Sequence, residues 1–160
     1  MNQKIQKFLS FETYSSPSEL SSNDFKLYLK AKEISKKAYA PYSKFNVGCA
    51  LELASGEIVV ANNQENIAFP SGLCAERVAL FYAGANFPTD EVLTIFIYAE
   101  GELLPDNNFL TPCGSCRQVM TESQRRQKER FRILLCGNDQ HVLVVEKIDD
   151  LLPFSFGMIE

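Results

Sequence analysis

Residues 92–99 read V-L-T-I-F-I-Y-A, and only Thr94 interrupts the apolar run. A strand that is apolar on both of its alternating faces belongs inside a sheet that is covered on both sides. Helices therefore have to lie above and below it, and the flanking sequence supplies them. Upstream, residues 23–40 read as a helix: Ser21 and Asp24 have capping-box spacing, and Leu27, Ala31, Ile34 and Ala38 recur at helical period. The residue before a proline avoids helical dihedrals, so Tyr39-Ala40-Pro41 marks its stop. Phe45–Ala54 and Glu57–Asn63, joined at Ser55-Gly56, read as a β-hairpin. Pro70-Ser71-Gly72 is a turn, and Cys74–Ala83 reads as a helix ended by Gly84. Downstream, residues 101–112 read as an irregular loop with Pro105 and Pro112, and Cys113–Lys128 as a helix. Phe131–Cys136 and Val142–Val145 read as two further strands around Gly137-Asn138-Asp139, followed by an apolar tail, Leu151–Phe156. Strands alternating with helices predict an α/β fold: a three-layer α-β-α sandwich around a central mixed sheet of five strands. Residues 1–20, Ser-rich with Pro17, read as an N-terminal extension, and 21–160 as one domain.

The formal net charge is −4, which argues against binding along a phosphate backbone, where lysine and arginine must neutralise phosphates. One basic run stands out: Arg125, Arg126, Lys128, Arg130 and Arg132. Glu122 and Glu129 break it up, and it reads as a solvated helix end offsetting the dipole. No nucleic acid or membrane partner is expected. Residues 1–20 hold Lys4 and Lys7 but no apolar stretch of signal-peptide length, and no run approaches transmembrane length. The expected location is the cytoplasm. There the five cysteines stay reduced, and closely spaced ones point to metal binding or catalysis rather than disulfides.

Residues 111–118 read T-P-C-G-S-C-R-Q. Taken alone, C-x-x-C fits a redox pair, half of a zinc site, or chance. The stretch G-L-C-A-E-R at 72–77 adds a third cysteine at the start of a different helix. A helix N-terminus carries partial positive charge and free N–H groups, which favour anionic sulfur. Two such N-termini aimed at one point would bring Cys74, Cys113 and Cys116 together. Three protein ligands on zinc leave a fourth position for water, the catalytic arrangement. Glu76, in the same first turn as Cys74, would then reach that water and move its proton. Three thiolates overcompensate a divalent ion, which works against acidifying the water. Arg77, three residues after Cys74, and Arg117, beside Cys116, are the cations placed to withdraw charge from the thiolates.

The pattern C-x-E followed by P-C-x-x-C is that of the zinc deaminases. Beyond it, A-Y-A-P-Y-S-K-F-N-V-G (38–48), N-Q-E-N (63–66), P-C-G-S-C-R-Q (112–118) and L-L-P-F-S-F-G (151–157) resemble the small cytidine deaminases with three cysteine ligands. The resemblance runs from about residue 21 to residue 157. It implies one zinc ion per chain on Cys74, Cys113 and Cys116, with Glu76 as proton shuttle. The implied reaction is hydrolysis of cytidine and deoxycytidine to their uridine counterparts, as in pyrimidine salvage. It also implies that Asn63 and Glu65 hold the sugar, chiefly its 3′-hydroxyl, and that Phe45 and Val47 line the pyrimidine pocket. The backbone near Ala75 would meet the ring's amide edge, and the Thr111 carbonyl would face the departing amine. The family is homotetrameric, and its tail aromatic, here Phe156, closes a neighbouring subunit's pocket. Alternation along a strand puts Asn63 and Glu65 on one face.

Two departures from the family pattern stand out. Phe69 replaces a frequent tyrosine, and Cys49 occupies a strand position where a small apolar residue is usual. Cys49 and Cys136 read as buried, unreactive thiols, and His141 as a turn or strand residue and no ligand. Three alternatives stay open. A zinc deaminase acting on another nucleoside-like substrate has the same metal motif. A zinc-stabilised interaction domain would need a fourth protein ligand. A C-x-x-C redox protein would leave Cys74 and Glu76 without a role.

Overall fold

The computed structural model describes residues 3–103 and 109–157; residues 104–108 of the expected loop lie outside the described residues. The predicted strands form β2 (Asn46–Leu53), β3 (Ile58–Asn62), β4 (Val92–Glu100), β5 (Arg132–Cys136) and β6 (Val142–Val145). A further short strand, β1 (Glu12–Tyr14), comes from the N-terminal extension and pairs antiparallel with β6, so the sheet has six strands and not five. The order is β1-β6-β5-β4-β2-β3, with β4 and β5 parallel and the other pairs antiparallel.

Three helices cover the sheet: α1 (Ser22–Ser35) on one face, α2 (Ala75–Asn86) and α3 (Gly114–Arg125) on the other. Strand alternation divides the core accordingly. Ile95, Ile97, Ile133 and Leu135 pack beneath α2 and α3, whereas Phe96, Tyr98, Leu134 and Cys136 pack with Leu27, Tyr28 and Ala31 of α1. This is the physical content of the continuous apolar run at 92–99: β4 is central and both of its faces are covered.

The helix boundaries differ from the sequence expectation. Ser21 does cap α1, its hydroxyl accepting from the Asp24 N–H at 3.1 Å. But α1 stops at Ser35 and not near residue 40, because Tyr39 is drawn into a bridge beside β3, donating to Asn63 O and accepting from Glu65 N. Helix α2 runs through Gly84 to Asn86, with the Arg126 guanidinium in the space beside the glycine. Helix α3 ends at Arg125 and not Lys128. The basic run is only partly a solvated helix end. Arg132 crosses to α1, where its guanidinium donates to the buried Asp24 at 2.8 Å, and Arg125 holds the C-terminal tail. Both thiols expected in the core, Cys49 and Cys136, are fully buried. No helix among the described residues is long and apolar enough to cross a membrane.

Candidate active site

Cys74 and Cys113 are the N-cap residues of α2 and α3, both with extended backbone, and neither sulfur caps its own helix. The usual capping residue returns its side chain to the first-turn N–H groups; these two thiols are instead free to face each other. The Sγ atoms of Cys74 and Cys113 are 4.0 Å apart, and those of Cys113 and Cys116 are 3.4 Å apart. All three ligand atoms lie within 4.8 Å of one another. Two thiolates on a tetrahedral zinc, each at about 2.3 Å, sit roughly 3.8 Å apart, so the cluster fits that ion. Among the described residues this is the one group of cysteine, histidine or acidic side chains so arranged. His141 is exposed and pairs with Asp139, away from the cluster.

The electrostatics favour a thiolate here. Hydrogen bonding from Cys116 and the nearby Arg77 hold the Cys74 thiol down at about 5, against the desolvation that raises it. Cys116 moves the opposite way, pushed up by its hydrogen bond to Cys74 and by burial. Arg77 Nη2 lies 3.7 Å from Cys74 Sγ, and its Nε is buried with no partner among the described residues. Arg117 does not reach a sulfur. Its guanidinium donates to Pro112 O (2.8 Å), Leu151 O (3.0 Å) and Thr111 Oγ1 (3.1 Å), tying the loop before α3 to the C-terminal segment. Glu76, in the first turn of α2, is 5% exposed. Its burial, reinforced by the Cys74 charge, pushes its carboxyl up to about 7, near the value that suits a group exchanging protons at neutral pH.

A cavity of about 440 Å³ opens over the cluster. Its lining includes Cys74, Cys113, Glu76 and Arg77 together with Asn63, Glu65, Phe45 and Val47, and Thr111 from the loop before α3. Ala75 is fully buried in α2 and Phe156 lies on the surface; neither lines this cavity. Asn63 and Glu65 follow β3 and do not lie within it, but Gln64 between them bridges to Tyr39 and Leu73, so the alternation continues. Both ends of the Asn63 amide are tied to the start of β2 and the residue before it: Oδ1 accepts from Val47 N–H at 2.8 Å and Nδ2 donates to Phe45 O at 2.9 Å. The Glu65 carboxylate accepts from Tyr42 N–H (3.0 Å), Ser43 N–H (3.3 Å) and the Ser43 hydroxyl. Although partial desolvation works the other way, these bonds from Ser43 and Tyr42 hold its carboxyl below the usual range. Ser43, Ile97 and Leu110 also line the cavity and have no counterpart among the expected site residues. For Ser43 a signal existed, in the P-Y-S-K-F stretch next to Phe45. For Ile97 and Leu110 there was none, since an apolar wall residue reads as core. Phe69, 76% exposed, lines the rim and meets Tyr42 edge-on at 6.1 Å.

The sequence profile of the cytidine and deoxycytidylate deaminase zinc-binding region matches residues 21–129. A cytidine deaminase of Sporosarcina psychrophila is 39% identical over 133 residues, covering 82% of this chain and 90% of that one. One of Halalkalibacterium halodurans is 36% identical over 119 residues, covering 74% and 83%. The crystal structure of cytidine deaminase from Burkholderia pseudomallei superimposes with a TM-score of 0.69 at 32% identity, covering 86% of this chain and 100% of that one.

Proposed function

The chain belongs to the cytidine and deoxycytidylate deaminase family, and from that premise we propose that it is a zinc-dependent hydrolase converting cytidine and deoxycytidine to uridine and deoxyuridine with release of ammonia. The observation that carries this reading is the placement of Glu76: a buried carboxyl lining the same cavity as Cys74 and Cys113, two residues from a sulfur of the three-cysteine cluster. Cys74, Cys113 and Cys116 would hold a zinc ion, which would supply Lewis-acid activation of the attacking water. Glu76 accepts a proton from that water and hands it to ring N3 as the oxygen bonds to C4. It then takes the hydroxyl proton and delivers it to the amino nitrogen. The C4–N bond breaks, ammonia leaves, and the C4 carbonyl of uridine remains. Arg77 donates toward Cys74 and reduces the negative charge the sulfurs impose.

Phe45 and Val47 flank the base, Asn63 and Glu65 hold the sugar, and the Thr111 backbone contacts the reacting edge. A nucleoside fits better than a nucleotide. The charged side chains lining the cavity among the described residues are Glu65, Glu76 and Arg77, and Arg77 is engaged with Cys74. Among the described residues, no cation lining the cavity is free to pair with a 5′-phosphate. The working assembly is a homotetramer in which Phe156 closes a neighbour's pocket. Its support is local: the Phe156 backbone is pinned by Gln118, which donates to its O at 2.9 Å and accepts from its N–H at 3.1 Å, while the ring stands 85% exposed. Five free cysteines suit a reducing compartment, and the cytoplasm is the proposed location.

Ultraviolet absorbance follows the conversion directly. Cytidine and deoxycytidine should both be consumed, and a chelator should stop the reaction. Glu76→Gln should keep one zinc per chain, measured by atomic absorption, and lose at least about 10²-fold in kcat. Near-parental turnover in a zinc-loaded Glu76→Gln protein would show that Glu76 is not the proton carrier.

A further inference from the structure

The segment between α1 and β2 contributes more to the cavity than its wall. Its turn is closed by the Lys44 N–H donating to Ala40 O at 3.0 Å, with Lys44 in the left-handed region at φ +53°. Gly101 lies against the back of this turn: a Cβ there would fall 2.7 Å from Lys44 O and 3.1 Å from the Phe45 Cα. Only bare backbone fits at that contact, so the turn is braced from behind.

Three donors of this braced turn converge on one carboxylate. The consecutive Tyr42 and Ser43 amides point at Glu65 Oε2, at 3.0 and 3.3 Å, as in a backbone nest that binds an anion. The Ser43 hydroxyl donates to the other oxygen, Oε1. The same oxygen accepts from the Phe45 N–H at 3.1 Å, which restricts rotation of the hydroxyl. A carboxylate offers about four acceptor positions. Three are taken by the turn, so the direction in which Glu65 can accept a further hydroxyl is narrowly set.

We propose that Ser43 is a positioning residue that aims the Glu65 carboxylate at the sugar 3′-hydroxyl and so sets the affinity for the sugar half of the substrate. The assignment rests on the reading that Glu65 holds that hydroxyl. Ser43 itself makes no contact with the reacting atoms, so its removal should act on KM and leave kcat nearly alone.

The test compares cytidine with 3′-deoxycytidine, which lacks the hydroxyl, on the zinc-loaded full chain. Ser43→Ala should raise KM for cytidine about tenfold with kcat within about threefold. With 3′-deoxycytidine the same variant and its parent should agree within about twofold, since the group that Glu65 receives is missing. Ser43→Thr keeps the hydroxyl and should hold the parent's KM. An unchanged KM for Ser43→Ala on cytidine overturns the assignment. An equal rise on both substrates, or an equal rise in Ser43→Thr, overturns it as well, because general loosening of the pocket then explains the effect. Glu65→Gln separates the two layers. If it raises KM for cytidine while Ser43→Ala does not, Glu65 keeps its role and Ser43 loses the one assigned here. If Glu65→Gln leaves KM unchanged, the sugar reading of Glu65 falls, and the assignment of Ser43 falls with it.

Discussion

At the residue scale, the five cysteines share a chemistry but not a role, and environment sorts them. Cys49 and Cys136 are fully buried in opposite layers of the core. Burial pushes the Cys49 thiol far up, and burial with the nearby Asp139 charge pushes Cys136 up to about 12. Cys74, at about 5, is a thiolate at neutral pH. In chelator-treated protein at pH 7, a thiol-alkylating reagent followed by peptide mass mapping should label Cys74 first and leave Cys49 and Cys136 unmodified. Adding zinc beforehand should protect Cys74. Rapid labelling of Cys136 would contradict its place in the core. The cysteine spacing was legible in the sequence because each ligand sits at a fixed offset from a helix start. The partner of Arg117 was not: adjacency to Cys116 suggested a sulfur, whereas helical geometry turns the guanidinium to Pro112, Leu151 and Thr111.

At the element scale, the close approach of α1 to β2 holds the layers together at Gly48. A Cβ there would lie 1.9 Å from Ala31 O and 2.8 Å from Ser35 N. Both are helix backbone atoms, which cannot move aside as a flexible side chain can. Gly48→Ala should therefore destabilise by about 2–3 kcal/mol, read as a lower urea midpoint at unchanged slope. A midpoint equal to the parent's would mean that α1 does not rest on β2 as described. Strand positions were readable because alternation and continuous apolar runs are local signals. Helix ends were less so. Tyr39 leaves helical geometry to bridge to the segment after β3, and Gly84 stays inside α2, where Arg126, just past the end of α3, lies against it. Both outcomes depend on neighbours distant in sequence.

At the scale of the whole molecule, the three-layer sandwich brings two helix N-termini to one end of the sheet and puts the cavity above them. The tail held by Gln118 and Arg125 presents Phe156 outward on the same chain that carries the sulfurs. If Phe156 completes a neighbour's site, light scattering should give four chains per particle, and Phe156→Ala should raise KM with zinc content unchanged. Co-expressing Phe156→Ala with Glu76→Gln should restore part of the parental affinity, because mixed tetramers contain sites with both residues intact. Activity no better than the weighted sum of the two variants would place Phe156 outside any shared site.

The sequence by itself determined the order of strands and helices from 21 onward, the three cysteines and the glutamate, because these depend on periodicity and on offsets within a single turn. It did not reveal that residues 12–14 add an edge strand to β6, since a three-residue strand has no period to read. Nor did it reveal that Ser43 reaches across 22 positions to Glu65. Such contacts join segments remote along the chain, and only the folded backbone, which closes the loops between them, decides which polar groups meet.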